Sequence, residues 1–156
     1  MAKVSFTKLG LSKDKLNEIK TIDFNGQVIE IRQYLPINEK LEMVSRIINK
    51  SADENNFANP VKLDIFLSLS IVENYTNISF TEKQKEDTCK LYDLLKSNGI
   101  IDMVINTIPV NEYTLLYEGL YNCADAVYKY RNSILGILET VSQDYSNLNL
   151  DATNIQ

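Results

Sequence analysis

Histidine and tryptophan are absent from this chain, cysteine occurs twice, proline three times and glycine five times. Without histidine, the side chain most often used for proton transfer near neutral pH is missing, along with the commonest metal ligand. A cysteine nucleophile paired with histidine is excluded for the same reason. Cys89 and Cys123 are too few for a disulfide framework and have no nearby second cysteine for a zinc site. Each falls inside a helical pattern, where cysteine commonly serves as a small buried hydrophobe, so the expectation is two buried free thiols. Five scattered glycines cannot build a phosphate-cradling loop, and no G-x-x-x-x-G-K-[ST], G-x-G-x-x-G or G-x-S-x-G run occurs.

Excess positive charge is lacking too. Sixteen Lys and Arg face 21 Asp and Glu, for a formal charge of −5 and a pI near 4.8. Such a balance argues against direct binding to nucleic acid, whose phosphates must be neutralised by cations. No run of about twenty apolar residues appears, and Met1 to Leu16 lacks the apolar stretch of a signal peptide, so no membrane span and a cytosolic location are expected. The patterns Asn74-Tyr75-Thr76 and Asn77-Ile78-Ser79 match N-glycosylation sites but have no export signal to make them relevant. Adjacent carboxylates at Asp53/Glu54 and Glu86/Asp87 sit on a loop and an exposed helix turn, where neighbours point apart. No catalytic, metal or cofactor residue is nominated, and no enzyme activity is expected.

What the chain does contain is a length of 156 residues and 44% hydrophobic content, enough for one folded domain. Its first 18 residues are Lys-rich with irregular apolar positions, and read as a strand-like or loose arm. Asn25-Gly26 between alternating runs specifies a two-residue hairpin turn, because both central positions need positive φ. That turn pairs Phe24 with Gln27, Ile22 with Ile29 and Lys20 with Ile31. Ile22, Phe24, Ile29 and Ile31 then share one face of a hairpin over 20–33.

Helical patterns fill the remainder. Asn38 is the expected cap of a helix to about Lys50 that buries Leu41, Val44, Ile47 and Ile48. Asn59-Pro60 opens a helix to about Tyr75 with almost no polar face, placing it at the centre of the core. Thr81 or Ser79 caps the next helix, Asn98-Gly99 stops it, and a short apolar helix ends before Pro109. From Asn111 to about Gln143 runs one long pattern of about 32 residues, or about 48 Å. Its seam is Tyr113, Tyr117, Leu120, Ala124, Val127, Ile134, Leu138 and Val141, with Arg131 at one seam position and Gly119 and Gly136 as weak points. The expected architecture is therefore mainly α, an N-terminal β-hairpin packed on a bundle of about five helices. Residues 1–143 form one domain, and 144–156 form a mobile C-terminal tail.

Five of the nine tyrosines, Tyr113, Tyr117, Tyr121, Tyr128 and Tyr130, lie on the long helix. Tyr113 and Tyr117 belong to the seam and read as core. Tyr121, Tyr128 and Leu135 share a face off the seam, and together with Arg131 they are the candidate partner-binding residues. Tyrosine suits such a face because it presents rigid apolar area with a polar tip.

The segment Ile22 to Pro36 followed by Asn38-Glu39-Lys40-Leu41 resembles the opening of small tail assembly proteins from phages of Firmicutes. The stretches Asn55 to Val61 and Tyr75 to Lys85 are similar to a phage and prophage protein group as well, so the likeness spans most of the chain. The resemblance implies a tail assembly chaperone or morphogenesis factor acting in the cytoplasm of a bacterial host, with a phage tail component as partner. Two other readings stay open: a small acidic inhibitor of a host defence or nucleic-acid enzyme, and a structural virion protein that forms connector-type homo-oligomers.

Overall fold

A computed structural model describes residues 3–53, 57–133 and 136–143. The fold is mainly helical with one two-stranded antiparallel sheet at its N-terminal end. Strands β1 (Ile19–Phe24) and β2 (Gln27–Arg32) pair in the register that the Asn-Gly turn dictates, Phe24 opposite Gln27, Ile22 opposite Ile29 and Lys20 opposite Ile31. Asn25 and Gly26 both hold positive φ, at 53° and 76°. Ile29 and Ile31 are buried, and Ile22 and Phe24 pack against the same core. Two strands alone are marginal, so this apolar face supplies the stability the ladder lacks. Before the hairpin the arm is not a strand: it forms 3-10 turns over Phe6–Leu9 and Asp14–Asn17 and buries no residue.

Helix α1 (Ile37–Ser51) begins one residue before the expected cap. The Pro36 carbonyl takes the first helical hydrogen bond, from the Lys40 amide at 3.1 Å, so Asn38 sits inside the first turn. The buried stripe is also rotated from the expected one: Met43 and Ile47 are buried, while Leu41 is 60% exposed. Helix α2 (Pro60–Tyr75) starts as expected, with the Asn59 side chain accepting from the Val61 and Lys62 amides at 2.9 and 3.2 Å. It buries Leu63, Leu67, Leu69, Ile71, Val72 and Tyr75, and it contacts α1 along with two helices that follow.

The expected single helix after Thr81 is two. Thr81 forms a capping box with Gln84 at the head of α3 (Glu82–Glu86), but Asp87 leaves helical geometry and its carboxylate accepts from the Lys90 amide at 3.1 Å. Asp competes for local backbone donors more effectively than it supports a helix interior, and here it caps α4 (Thr88–Ser97). Gly99, at φ 75°, makes the left-handed link to α5 (Ile100–Thr107), whose Ile100, Ile101 and Val104 complete the core against α2.

Helix α6 (Val110–Arg131) passes through Gly119 unbroken but stops well short of Gln143. Asn132 closes it by donating from both its backbone and its side chain to the Tyr128 carbonyl. The Ser133 hydroxyl then accepts from the Gly136 amide at 3.2 Å, and the chain is helical again over 136–143 as α7. A Cβ at Gly136 would collide with the Tyr130 carbonyl and come within 2.9 Å of the Arg131 Cα, so the return past the end of α6 requires glycine. Seven helical segments thus stand among the described residues where about five were expected. The long helix is two.

Among the described residues the core contains one buried ion pair. Lys40 Nζ lies 2.8 Å from Glu112 Oε1, both side chains almost fully buried. The second carboxylate oxygen accepts from the Tyr75 hydroxyl at 3.0 Å and from the Leu35 amide at 3.3 Å. Lys40 also sits 4.4 Å from the centre of the Tyr34 ring. Burial, followed by the Glu112 charge and hydrogen bond, pushes the Tyr75 phenol far above its ordinary 10.0. Among the described residues no buried side-chain polar atom lacks a partner.

Removing one member leaves the other charge buried and unpaired, which costs far more than losing a neutral contact. Glu112→Ala is expected to lower the unfolding free energy by about 3–5 kcal/mol. Tyr75→Phe, which keeps the ion pair, is expected to lower it by about 1.5 kcal/mol, the scale of one hydrogen bond to a charged group. Urea denaturation of the two variants checks the ranking.

Candidate functional site

Helix α6 buries Glu112, Leu116, Leu120 and Ala124, a row of four-residue steps. Such a row is the ridge used by steeply crossed helices, whereas the expected seam of alternating three- and four-residue steps belongs to a coiled coil. The consequence falls on the tyrosines. Tyr113, Tyr117 and Tyr121 each lie one residue beyond a buried position, so they flank the buried row in a ladder. Tyr113 stacks on Tyr117 with ring centres 6.0 Å apart, and Tyr117 meets Tyr121 at 4.7 Å. Tyr117, expected in the core, is 40% exposed, and the core position is taken by Leu116.

Tyr121 is half-buried rather than fully presented. Its ring packs against the core, and its hydroxyl donates to Asp64 Oδ1 on α2 at 2.6 Å. Burial first, then the Asp64 hydrogen bond and charge, raise its ionisation above the ordinary 10.0. Tyr113 is raised too, mainly by burial, with smaller contributions from Tyr117 and Asp64. Tyr128 is 45% exposed and meets Phe57 edge-on, ring centres 5.1 Å apart at 89°. Tyr121 and Tyr128 border one recess of about 280 Å³, floored by Leu63 and Ala124 and walled by Phe57, Ala58, Pro60 and Asp125. Arg131, the last residue of α6, lines a smaller recess on the other side of Tyr128, with Ile48, Ala52 and Val127. Leu135, the fourth candidate, lies outside the described residues, as does the expected mobile tail over 144–156.

The structure therefore brings Tyr121, Tyr128 and Arg131 onto one stretch of α6. Sequence reasoning missed Phe57 and Asp64, the side chains from the α1–α2 loop and from α2 that fix two of these tyrosines. Their signal is tertiary, since neither stands in any helical register with α6. The four-residue spacing of Tyr113, Tyr117 and Tyr121 is a signal that was available.

A second recess of about 280 Å³ lies among α1, α2 and α4, with Ile47, Phe66, Leu69, Phe80 and Leu91 inside and Arg46, Lys50 and Lys85 at its mouth. Two of those cations are already engaged, Lys85 with Glu73 at 2.7 Å and Arg46 with Asn74 at 3.4 Å. Cys89 and Cys123 are both exposed, against the expectation of burial. Their helices bury neighbouring positions instead, Leu91 on α4 and Ala124 on α6. Among the described residues no three acids or cysteines converge as metal ligands, and no helix is long and apolar enough to cross a membrane.

Because Tyr121 is held protonated by burial and by Asp64, its folded-state value exceeds its unfolded one. The stability this contributes is fully present below pH 10 and is lost as pH rises towards the raised folded value. In an ultraviolet titration of the phenols, Asp64→Asn is expected to move Tyr121, and to a smaller extent Tyr113, to lower pH and to flatten part of the alkaline loss of stability. An unchanged titration would contradict the Tyr121–Asp64 bond.

Comparison with family models, with curated proteins and with solved structures returned no match.

Proposed function

We propose that this chain is a non-enzymatic assembly protein that binds another protein through the aromatic side of α6. The observation that carries this reading is the surface formed by Tyr113, Tyr117, Tyr121, Tyr128 and Phe57, with a recess between Tyr121 and Tyr128. Rings locked against one another present apolar area at little cost in side-chain entropy, and a recess among them suits one inserted apolar side chain of a partner. Arg131 at the end of the surface adds a charged contact at the rim.

The resemblance to small phage tail assembly proteins supplies the context: a tail assembly chaperone or morphogenesis factor, working in the cytoplasm of the infected host, with an aggregation-prone tail component as its partner. Covering apolar surface on such a component before polymerisation requires an exposed apolar face on the chaperone. The aromatic side of α6 offers one.

The test is affinity capture of the tagged chain from infected cells, with Tyr117→Ala and Tyr128→Ala beside the native sequence. Both residues are exposed, so the thermal midpoint should change little while recovery of tail components falls by about tenfold or more, as for a residue in a binding hot spot. Recovery of a host nuclease or defence protein in place of virion components would contradict the assembly reading.

A further inference from the structure

The two edges of the hairpin are treated differently. The Gln33 amide donates to the Glu18 carbonyl at 2.9 Å, which marks Glu18–Gln33 as a hydrogen-bonded pair of the antiparallel ladder. Alternation then makes Lys20–Ile31, Ile22–Ile29 and Phe24–Gln27 the other hydrogen-bonded pairs. The backbone groups of Val28, Glu30 and Arg32 on β2, and of Ile19, Thr21 and Asp23 on β1, therefore face outward.

On β2 that edge is covered at its middle. Asn77 bonds the Glu30 amide through its side-chain oxygen at 3.1 Å, the Glu30 carbonyl through its own amide at 3.3 Å, and the Val28 carbonyl through its side-chain nitrogen at 3.2 Å. On β1 no described residue covers the outward groups of Ile19, Thr21 and Asp23. The Asp23 carboxylate is turned back to accept from the Gly26 amide at 3.1 Å. An open row of donors and acceptors on a six-residue strand is a template for another strand.

The arm that leads into β1 has the same unfinished character. Val4, Phe6, Leu9, Leu11 and Leu16 are between 48% and 74% exposed, and none belongs to the core. Charge sets the arm apart too. Four lysines against Asp14 and Glu18 give residues 1–18 a net +2, so the remainder of the chain carries −7 to reach the total of −5.

We propose that the open edge of β1 pairs antiparallel with β1 of a second copy of this chain, and that each basic, apolar arm seats on the acidic body of the partner copy. A two-fold axis at Thr21 sets the partner's Thr21 opposite Thr21 and the partner's Asp23 opposite Ile19, joining the two hairpins into one four-stranded sheet. Antiparallel pairing carries each arm past the partner's Asn25–Gly26 turn, so the arm leaves its own domain for its neighbour's. The charge asymmetry is what selects a copy of the same chain, because a basic arm meets a body of net negative charge in both directions across the axis.

This interface is separate from the proposed partner surface. The hairpin adjoins Thr76 and Asn77 just past the C-terminal end of α2, while Asp64, which holds Tyr121 beside the recess, lies twelve residues earlier, about 18 Å away by helical rise.

The experiment is sedimentation equilibrium of the full chain up to about 1 mM, at low and at high salt. A monomer–dimer equilibrium that weakens with salt is expected. Thr21→Lys places two like charges directly opposite each other and should raise the dimer dissociation constant by about tenfold or more. Thr21→Pro removes only an outward-facing donor and should act in the same direction. Circular dichroism establishes that each variant is folded; should the proline variant not fold, the lysine variant decides. A chain that stays monomeric throughout, or a dimer indifferent to folded Thr21→Lys, overturns the proposal.

Discussion

A carboxylate taken out of water must be matched by a positive charge and have its remaining lone pairs satisfied, and Glu112 imposes that condition on four parts of this chain at once. Lys40 reaches it from the first turn of α1, Tyr75 from the last residue of α2, and Leu35 from the segment leaving the hairpin. Glu112 itself occupies the first turn of α6, where the helix dipole favours an anion. Lys40 has the opposite situation, a cation near the positive end of α1. Its burial there is sustained by Glu112 and by the face of the Tyr34 ring. Elements far apart in sequence are thereby held to within hydrogen-bond distance of one carboxylate.

The geometry of the candidate surface follows from that anchoring. With Glu112 buried, the rotation of α6 is fixed, and Leu116, Leu120 and Ala124 follow it inward at four-residue steps. Tyr113, Tyr117 and Tyr121 are left on the flank, where Asp64 of α2 takes the hydroxyl of Tyr121. Farther along the helix the same rotation brings Tyr128 over Phe57. The aromatic surface is thus a product of how α6 enters the core, and a change at Glu112 would disturb it from a distance.

Local chemistry was legible in the sequence wherever it is self-contained. The Asn25-Gly26 turn gave the hairpin and its register, and Asn59-Pro60 gave the start of α2, because each depends on residues within a few positions. The burial of Lys40 was not legible. Nothing near it announces a partner 72 residues away, so Leu41 was assigned to the stripe that Met43 occupies. The end of α6 is hidden in the sequence for another reason. Asn132 and Ser133 are unremarkable as single residues in a helical pattern, yet together they close one helix and cap the next, and Gly136 permits the close return. Of the candidate site, Tyr121 and Tyr128 were visible as a seven-residue pair, but their anchors, Asp64 and Phe57, come from elsewhere in the fold.

Native-state hydrogen exchange at the Leu35 amide tests the role of the buried carboxylate most directly. Leu35 lies between the hairpin and α1, outside any helix or strand, and its amide donates only to Glu112. If Glu112 ties these elements into one cooperative unit, that amide exchanges as slowly as those inside α2, and Glu112→Gln accelerates both together. Rapid exchange at Leu35 beside a fully protected α2 would contradict the account, for the hairpin exit and α6 would then open independently of the core.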